Sequence, residues 1–243
     1  MKKLLIAAVL ASISLSASAA ETIRFAAEAS YPPFEFIDAN NKMQGFDIDL
    51  ANALCKEMQA NCTFTNQAFD SLIPSLKFKR FDAVISGVDI TPERLKQVAF
   101  TKPYYDNSAL FIAHKGKITD LAALKGKRVG MQNGSTHQKF LLEKHPEITA
   151  VPYDSYQNAI LDLKNGRLDA VFGDTAVVNE WLKQSPELVP VGDKITDADY
   201  FGTGLGIAVR QNNTELLGKL DAALAKVKAD GTYQTIYKKW FQQ

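Results

Sequence analysis

Apolar and polar positions along this chain fall into blocks whose period switches between that of a strand and that of a helix. Thr22–Ala27 reads as a strand, and Phe46, Leu50, Ala53, Leu54 and Met58 then recur at helical spacing. Leu72, Ile73 and Leu76 mark a second helix, which leads into the compact apolar run Ala83–Ser86. The rhythm restarts at Arg128–Met131, followed by a helix over about 135–144 and a strand at Ala150–Tyr153. A helix over about 155–164, with Gly166 where a C-terminal cap belongs, and a strand at Leu168–Phe172 complete it. Alternation of this kind predicts parallel sheets with crossover helices, the α/β class.

The second half repeats a piece of the first. Leu76-Lys77-Phe78-Lys79-Arg80-Phe81-Asp82-Ala83-Val84-Ile85 aligns without a gap on Leu163-Lys164-Asn165-Gly166-Arg167-Leu168-Asp169-Ala170-Val171-Phe172, with six of ten positions identical. Each copy is a helix end, a turn and a buried strand, which predicts one βα unit used once in each of two lobes. Ligands of open α/β sheets bind beyond the carboxyl ends of the strands. The repeat therefore nominates Ser86-Gly87-Val88-Asp89 from one lobe and Gly173-Asp174-Thr175 from the other. Ser108–Ala113 and the glycine-rich approach to Gly204–Val209 are extended segments placed to cross between lobes. A helix over about 214–228 and an aromatic tail (Tyr233, Tyr237, Trp240, Phe241) return to the first.

Composition changes this picture in three ways. Lys2 and Lys3, the apolar run Leu4–Leu15 and the small residues Ala17-Ser18-Ala19 form a secretory signal peptide, with cleavage expected after Ala19 or Ala20. Without it, 28 basic residues become 26 against 27 acidic, and so balanced a chain lacks the field that non-specific nucleic-acid binding needs. Cys55 and Cys62, an isolated pair in an exported chain, predict a disulfide closing an eight-residue loop, contributing about 2.5 kcal/mol by chain entropy. Two cysteines cannot fill a tetrahedral zinc shell, and no metal or cofactor is expected.

A captured amino acid needs a guanidinium fork and helix-start N–H groups for its carboxylate, and an acid for its ammonium. A cationic side chain adds aromatic faces and further acid. Arg94 follows Thr91-Pro92-Glu93, a helix start with Thr91 as cap and Pro92 in the first turn. Asn133-Gly134-Ser135-Thr136 closes a strand and opens a helix, and Asp174 stands at a strand end. Tyr31 and Phe69 are loop aromatics, and Glu28 and Asp89 are the additional acids.

Tyr31-Pro32-Pro33-Phe34-Glu35, Gly45-Phe46-Asp47-Ile48-Asp49-Leu50, Phe69-Asp70-Ser71-Leu72-Ile73-Pro74-Ser75-Leu76 and Ile90-Thr91-Pro92-Glu93-Arg94 resemble segments of the polar and basic amino-acid solute-binding proteins of ABC importers. Asn133-Gly134-Ser135-Thr136 and Asp230-Gly231-Thr232-Tyr233 extend the resemblance over the whole chain beyond the signal peptide. It implies the type II periplasmic binding protein fold: two α/β lobes joined by two extended hinge segments. Residues 20–108 and 205–243 would form the first lobe and residues 109–204 the second. It further implies a periplasmic monomer that takes a basic amino acid to a membrane permease. Arginine is the expected ligand, with lysine, ornithine or histidine as alternatives.

Carried over position by position, Arg94 would clamp the ligand carboxylate with the backbone of Gly87 and Thr136. Asp174 would take the ammonium beside Asp89 and the Ser86 carbonyl. Tyr31 and Phe69 would sandwich the side chain, and Glu28 would face its distal cation. Gly87 and Asp89 stand where some relatives have serine, and His137 where glutamine is common; these departures leave the α-amino-acid clamp intact and bear on side-chain specificity. Two rival readings remain at this stage: a dehydratase-like enzyme with Glu28 or His137 as base, and a ligand-sensing domain. The chain has no G-x-S-x-G elbow and no Walker-type phosphate loop for the first.

Overall fold

The computed structural model describes residues 20–201 and 203–242, so the expected signal peptide lies outside the described residues. Two five-stranded sheets organise the molecule. The first runs in the order Asn61–Asn66, Thr22–Ala27, Ala83–Val84, Ala208–Arg210, Val98–Phe100. The second runs Thr149–Tyr153, Arg128–Gln132, Ala170–Asp174, Ala109–His114, Leu188–Ile195. In each sheet the first three strands are mutually parallel. The last two are antiparallel to their neighbours. A small antiparallel sheet of Ser30–Tyr31, Glu35–Ile37 and Met43–Gln44 sits beside the first.

The helices follow the predicted apolar stripes. Phe46–Glu57 buries Phe46, Ile48, Leu50, Ala51 and Leu54. Tyr156–Lys164 buries Tyr156, Ala159, Ile160 and Leu163. The helix Thr214–Ala229 buries Leu216, Leu220, Ala223, Leu224 and Val227, and the closing helix Thr232–Phe241 lays its aromatics over the same apolar body. Phe46 contacts the Tyr233, Tyr237 and Phe241 rings edge-on, the arrangement favoured by the aromatic quadrupole. The disulfide joins Cys55 and Cys62, tying the helix Phe46–Glu57 to the strand Asn61–Asn66.

Two expected strands shift. The run Ala83–Ser86 pairs only over Ala83–Val84, because the chain turns away at Ser86, whose hydroxyl bonds to Glu35, and Gly87 takes a left-handed φ of 52°. The run Leu168–Phe172 starts later and continues through Asp174, held by the antiparallel partner Ala109–His114. That extension carries Asp174 to the edge where the two sheets' loops meet.

Among the described residues, no helix is long and apolar enough to cross a membrane. No cluster of histidine, cysteine and carboxylates among them could hold a metal ion.

Candidate functional site

Loops at the carboxyl ends of both sheets converge on one cleft. Its inner wall is formed by Tyr31, Phe69, Gly87, Asp89, Gln132, Ser135, Thr136, His137, Tyr156 and Asp174. The side chains fill it closely, leaving a volume of about 10 Å³. An outer groove of about 540 Å³ opens beyond it, and Arg94, Ser135 and Thr136 line that groove.

The helix start that presents Arg94 forms as its sequence dictates. Thr91 Oγ1 accepts a hydrogen bond from the Arg94 N–H, and Pro92 occupies the first turn. Arg94 is buried; its Nη1 donates to the Asp89 carbonyl at 3.0 Å and its Nη2 to the Gly134 carbonyl at 3.4 Å. The guanidinium carbon stands 5.6 Å from the Phe69 ring centre, a cation–π contact. Burial lowers the Arg94 pKa from its ordinary value, while the charges of Asp89, Asp174 and Glu93 oppose that fall. It therefore carries a full charge at neutral pH.

Arg94 and Asp174 belong to one network rather than one wall. The Arg94 contact to the Asp89 backbone continues through the Asp89 carboxylate to Asn107, whose Nδ2 donates to Asp89 Oδ1 and Asp174 Oδ1, both at 2.7 Å. Thr136 Oγ1 donates to Asp89 Oδ2 at 2.6 Å, and the Tyr31 hydroxyl donates to Asp174 Oδ2 at 2.6 Å. Burial first, and the Asp174 charge second, hold the Tyr31 phenol far above its ordinary pKa, so it acts as a donor. Burial, reinforced by Asp174, pushes Asp89 up to about 6. The two acids bring negative charge from opposite sides of the cleft into close range, the condition under which a cation is attracted.

The remaining expected residues occupy three kinds of place. Tyr31 stacks on Tyr156 with ring centres 5.2 Å apart, and half-buried Phe69 lies across the cleft mouth. His137 packs edge-on against Tyr156 and Phe172, with Nε2 3.2 Å from Asp174 Oδ1. Glu28 and Ser86 stand behind the wall. Glu28 accepts from Ser30 Oγ at 2.5 Å and from Gln132 Nε2 at 3.2 Å, so Gln132 separates it from the cavity. Burial raises the Glu28 pKa, with those two bonds opposing. Ser86 Oγ accepts from the Glu28 N–H and donates to Glu35.

One expectation needs correction. The Gly87 N–H is engaged by Asp47 Oδ2 at 2.9 Å, so in this conformation it is turned from the cleft and not offered to a ligand. The turn before Thr136–Lys144 also consumes donors: the Gly134 N–H bonds Gln138 and the Ser135 N–H bonds the Gln132 carbonyl. The N–H groups left to receive an anion at this helix start are those of Thr136 and His137.

Sequence reasoning missed Asn107, Gln132 and Tyr156. Gln132 ends a strand and Tyr156 opens the helix that follows one, so the strand-end rule would have found both. Asn107 precedes the amino end of Ala109–His114, a strand of the second sheet, where no strand-end signal exists.

Comparison with known proteins matches this frame. Residues 23–243 match the family model described as bacterial extracellular solute-binding proteins, family 3. The chain belongs to that family. A protein of Escherichia coli K12, provisionally named ABC transporter arginine-binding protein 2, is 74% identical over 243 residues, covering 100% of both chains. ABC transporter arginine-binding protein 1 of the same organism is 67% identical over 243 residues, again covering 100% of both chains. Among solved structures, a Salmonella typhimurium periplasmic binding protein described for its high arginine specificity superposes with a TM-score of 0.89. It is 56% identical, and the match covers 91% of this chain and 100% of that one.

Proposed function

We propose that this protein is a periplasmic receptor that binds a basic amino acid, L-arginine first, and delivers it to the permease of an ABC importer. The observation that carries the reading is the charge imbalance of the cleft. Buried Asp89 and Asp174 line it, Arg94 is the buried guanidinium set against them, and buried Glu28 stands one side chain back, behind Gln132. An amino acid with a cationic side chain brings two positive groups and one negative, which is the complement of that set. The relatives' names, which tie them to arginine and to ABC transporters, support the same ligand, partner and receptor role.

In this reading Arg94, with the N–H of Thr136, takes the ligand carboxylate. Asp174 and Asp89 take the ammonium, releasing Asn107. Tyr31 and Phe69 flank the side chain, and Glu28 meets its distal cation through movement of Gln132. The inner volume of about 10 Å³ is far below that of an amino acid, so entry requires the two lobes to part. Residues 20–108 with 205–243 form one rigid half and residues 109–204 the other. Opening breaks Tyr31 to Asp174, Gln132 to Glu28, Asn133 to Asp70 and Lys139 to Glu93, all of which cross the cleft. Only a ligand that engages both halves restores the closed form, and that differential contact drives closure.

A thermal-shift screen of the twenty amino acids with ornithine and citrulline tests the ligand class. A true ligand at a hundred times its dissociation constant adds about 2.7 kcal/mol to stability. Citrulline keeps the shape of arginine without its charge, and a shift equal to arginine's would refute the charge argument. Arg94→Ala should abolish binding by calorimetry; wild-type affinity in that variant would overturn the site assignment.

A further inference from the structure

Two carboxyl groups lie beneath the first lobe's half of the cleft and take no part in the binding reading. Glu35 comes from the strand Glu35–Ile37, and Asp47 from the first turn of the helix Phe46–Glu57. Both are fully buried. Together they hold the turn that begins at Ser86: Glu35 Oε1 accepts from Ser86 Oγ at 2.8 Å, and Asp47 Oδ2 accepts from the Gly87 N–H at 2.9 Å. The Tyr104 hydroxyl also donates to Asp47 Oδ2, at 2.8 Å.

That leaves one oxygen on each acid. Glu35 Oε2 and Asp47 Oδ1 are both buried with no donor. The titratable groups facing the pair are Glu28, another acid, and Tyr104, a phenol whose burial beside Asp47 keeps it protonated. Two ionised carboxylates here would be uncompensated charges in a dry interior, a costly arrangement. One proton between the two orphan oxygens satisfies both.

We infer that Glu35 and Asp47 share a single proton, and that the pair so joined is a positioning element for the Ser86–Gly87 turn. Burial is the main cause raising both groups, Glu35 well above the usual range and Asp47 to about 6, in accord with one proton held at neutral pH. The turn acts on the cleft through Tyr31. A Cβ at Gly87 would lie 3.3 Å from the Tyr31 ring, whose hydroxyl holds Asp174. The acid pair thus sets the height of the turn under Tyr31, and Tyr31 carries that setting across to the second lobe.

The binding arm of the test rests on the arginine reading; the spectroscopic arm does not. Difference infrared spectroscopy at mildly alkaline pH, above the ordinary carboxyl range, should show a protonated carboxyl band in the wild type that is lost in Glu35→Gln. A spectrum without the band, or one in which Glu35→Gln keeps it, overturns the shared proton. In calorimetry with arginine, Glu35→Gln should bind within about threefold of wild type, since its amide N–H replaces the proton toward Asp47. Glu35→Ala strands Asp47 Oδ1 and should lose at least about tenfold, which is about 1.4 kcal/mol. Equal losses in the two variants, or none in either, overturn the positioning role. Where Glu35→Ala does not fold, the spectrum and the glutamine variant still decide.

Discussion

In the first sheet Ala83 pairs with Phe25, and in the second Ala170 pairs with Val129, so the repeated Asp-Ala-Val segment occupies the same place in both. The aspartates just before it do the same work: Asp82 accepts from the Arg24 N–H and Asp169 from the Arg128 N–H. Four residues after the paired alanines the two lobes diverge. The first has Gly87, left-handed, with its N–H taken by a buried acid below. The second has Asp174, still in its strand, with its carboxylate in the cleft. One plan thus supplies a shaped backbone on one side and a charge on the other. The shape depends on Glu35 and Asp47, which have no counterpart in the second copy's strand–turn–helix; the charge depends only on strand length.

If charge is the second lobe's contribution, Asp174→Asn should be the most damaging change to binding outside Arg94. It keeps the size of the side chain and removes an ionic hydrogen bond worth about 1.5–3 kcal/mol, so affinity for arginine should fall by roughly 10- to 100-fold. Calorimetry showing less than a threefold loss would mean that Asp89 alone holds the ammonium.

In the proposed closure Gly134, after the strand Arg128–Gln132, meets Asp70 at the start of the helix Phe69–Lys77. Gly134 has a left-handed φ of 74°, and a Cβ there would lie 2.9 Å from the Asp70 Cβ. Gly134→Ala costs about 1–2 kcal/mol for its backbone conformation and adds a collision made only when the lobes meet. Arginine affinity should drop about tenfold, chiefly through faster dissociation measured by stopped flow. An unchanged off-rate would show that the two loops do not meet in the bound form.

Two buried acids on the first sheet's side also fix the sign of the pH response. Asp89 and Asp47 are both raised to about 6 by burial, so the folded chain binds their protons more tightly than the unfolded chain does. Stability without ligand is therefore lost as pH rises through about 6, and the melting temperature should climb between about pH 7.5 and pH 5. If Asp89 holds the arginine ammonium as proposed, the ligand needs it ionised, so the stabilisation arginine adds should shrink over the same window, several-fold in affinity. A ligand shift that grows on acidification would remove Asp89 from the cation's partners.

The helical and strand periods, the repeat and the disulfide could all be read before any coordinates, since each depends on local spacing. Arg94 was legible because its cap, Thr91 with Pro92, is written in four consecutive residues. Asn107 was not, because its role exists only where Asp89 and Asp174, 85 residues apart, come within reach of one amide. Glu35 and Asp47 were visible as motif letters, but their burial arises from packing a hairpin on a helix start. Polar residues alone could not disclose that. The Gly87 donor was misjudged for the same reason: its acceptor lies 40 residues earlier in sequence and directly below it in space.

The finest difference between the copies lies at the helix ends, away from the cleft. Gly166 caps Tyr156–Lys164 with a left-handed φ of 72°, and the Arg167 N–H returns to the Asp162 carbonyl. The aligned position in the first copy is Lys79, left-handed at φ 61°, with the Arg80 N–H returning to the Ser75 carbonyl. The same cap is built twice, once with the residue that fits it and once with a lysine. Of Lys79, Arg24 touches only the carbonyl, which a glycine would keep. Lys79→Gly should therefore raise stability by about 0.5–1 kcal/mol in denaturant melts, and Gly166→Lys should lower it by a similar amount, with arginine affinity unmoved in both. A destabilised Lys79→Gly would show that the lysine side chain contributes more at that turn than its backbone strain costs.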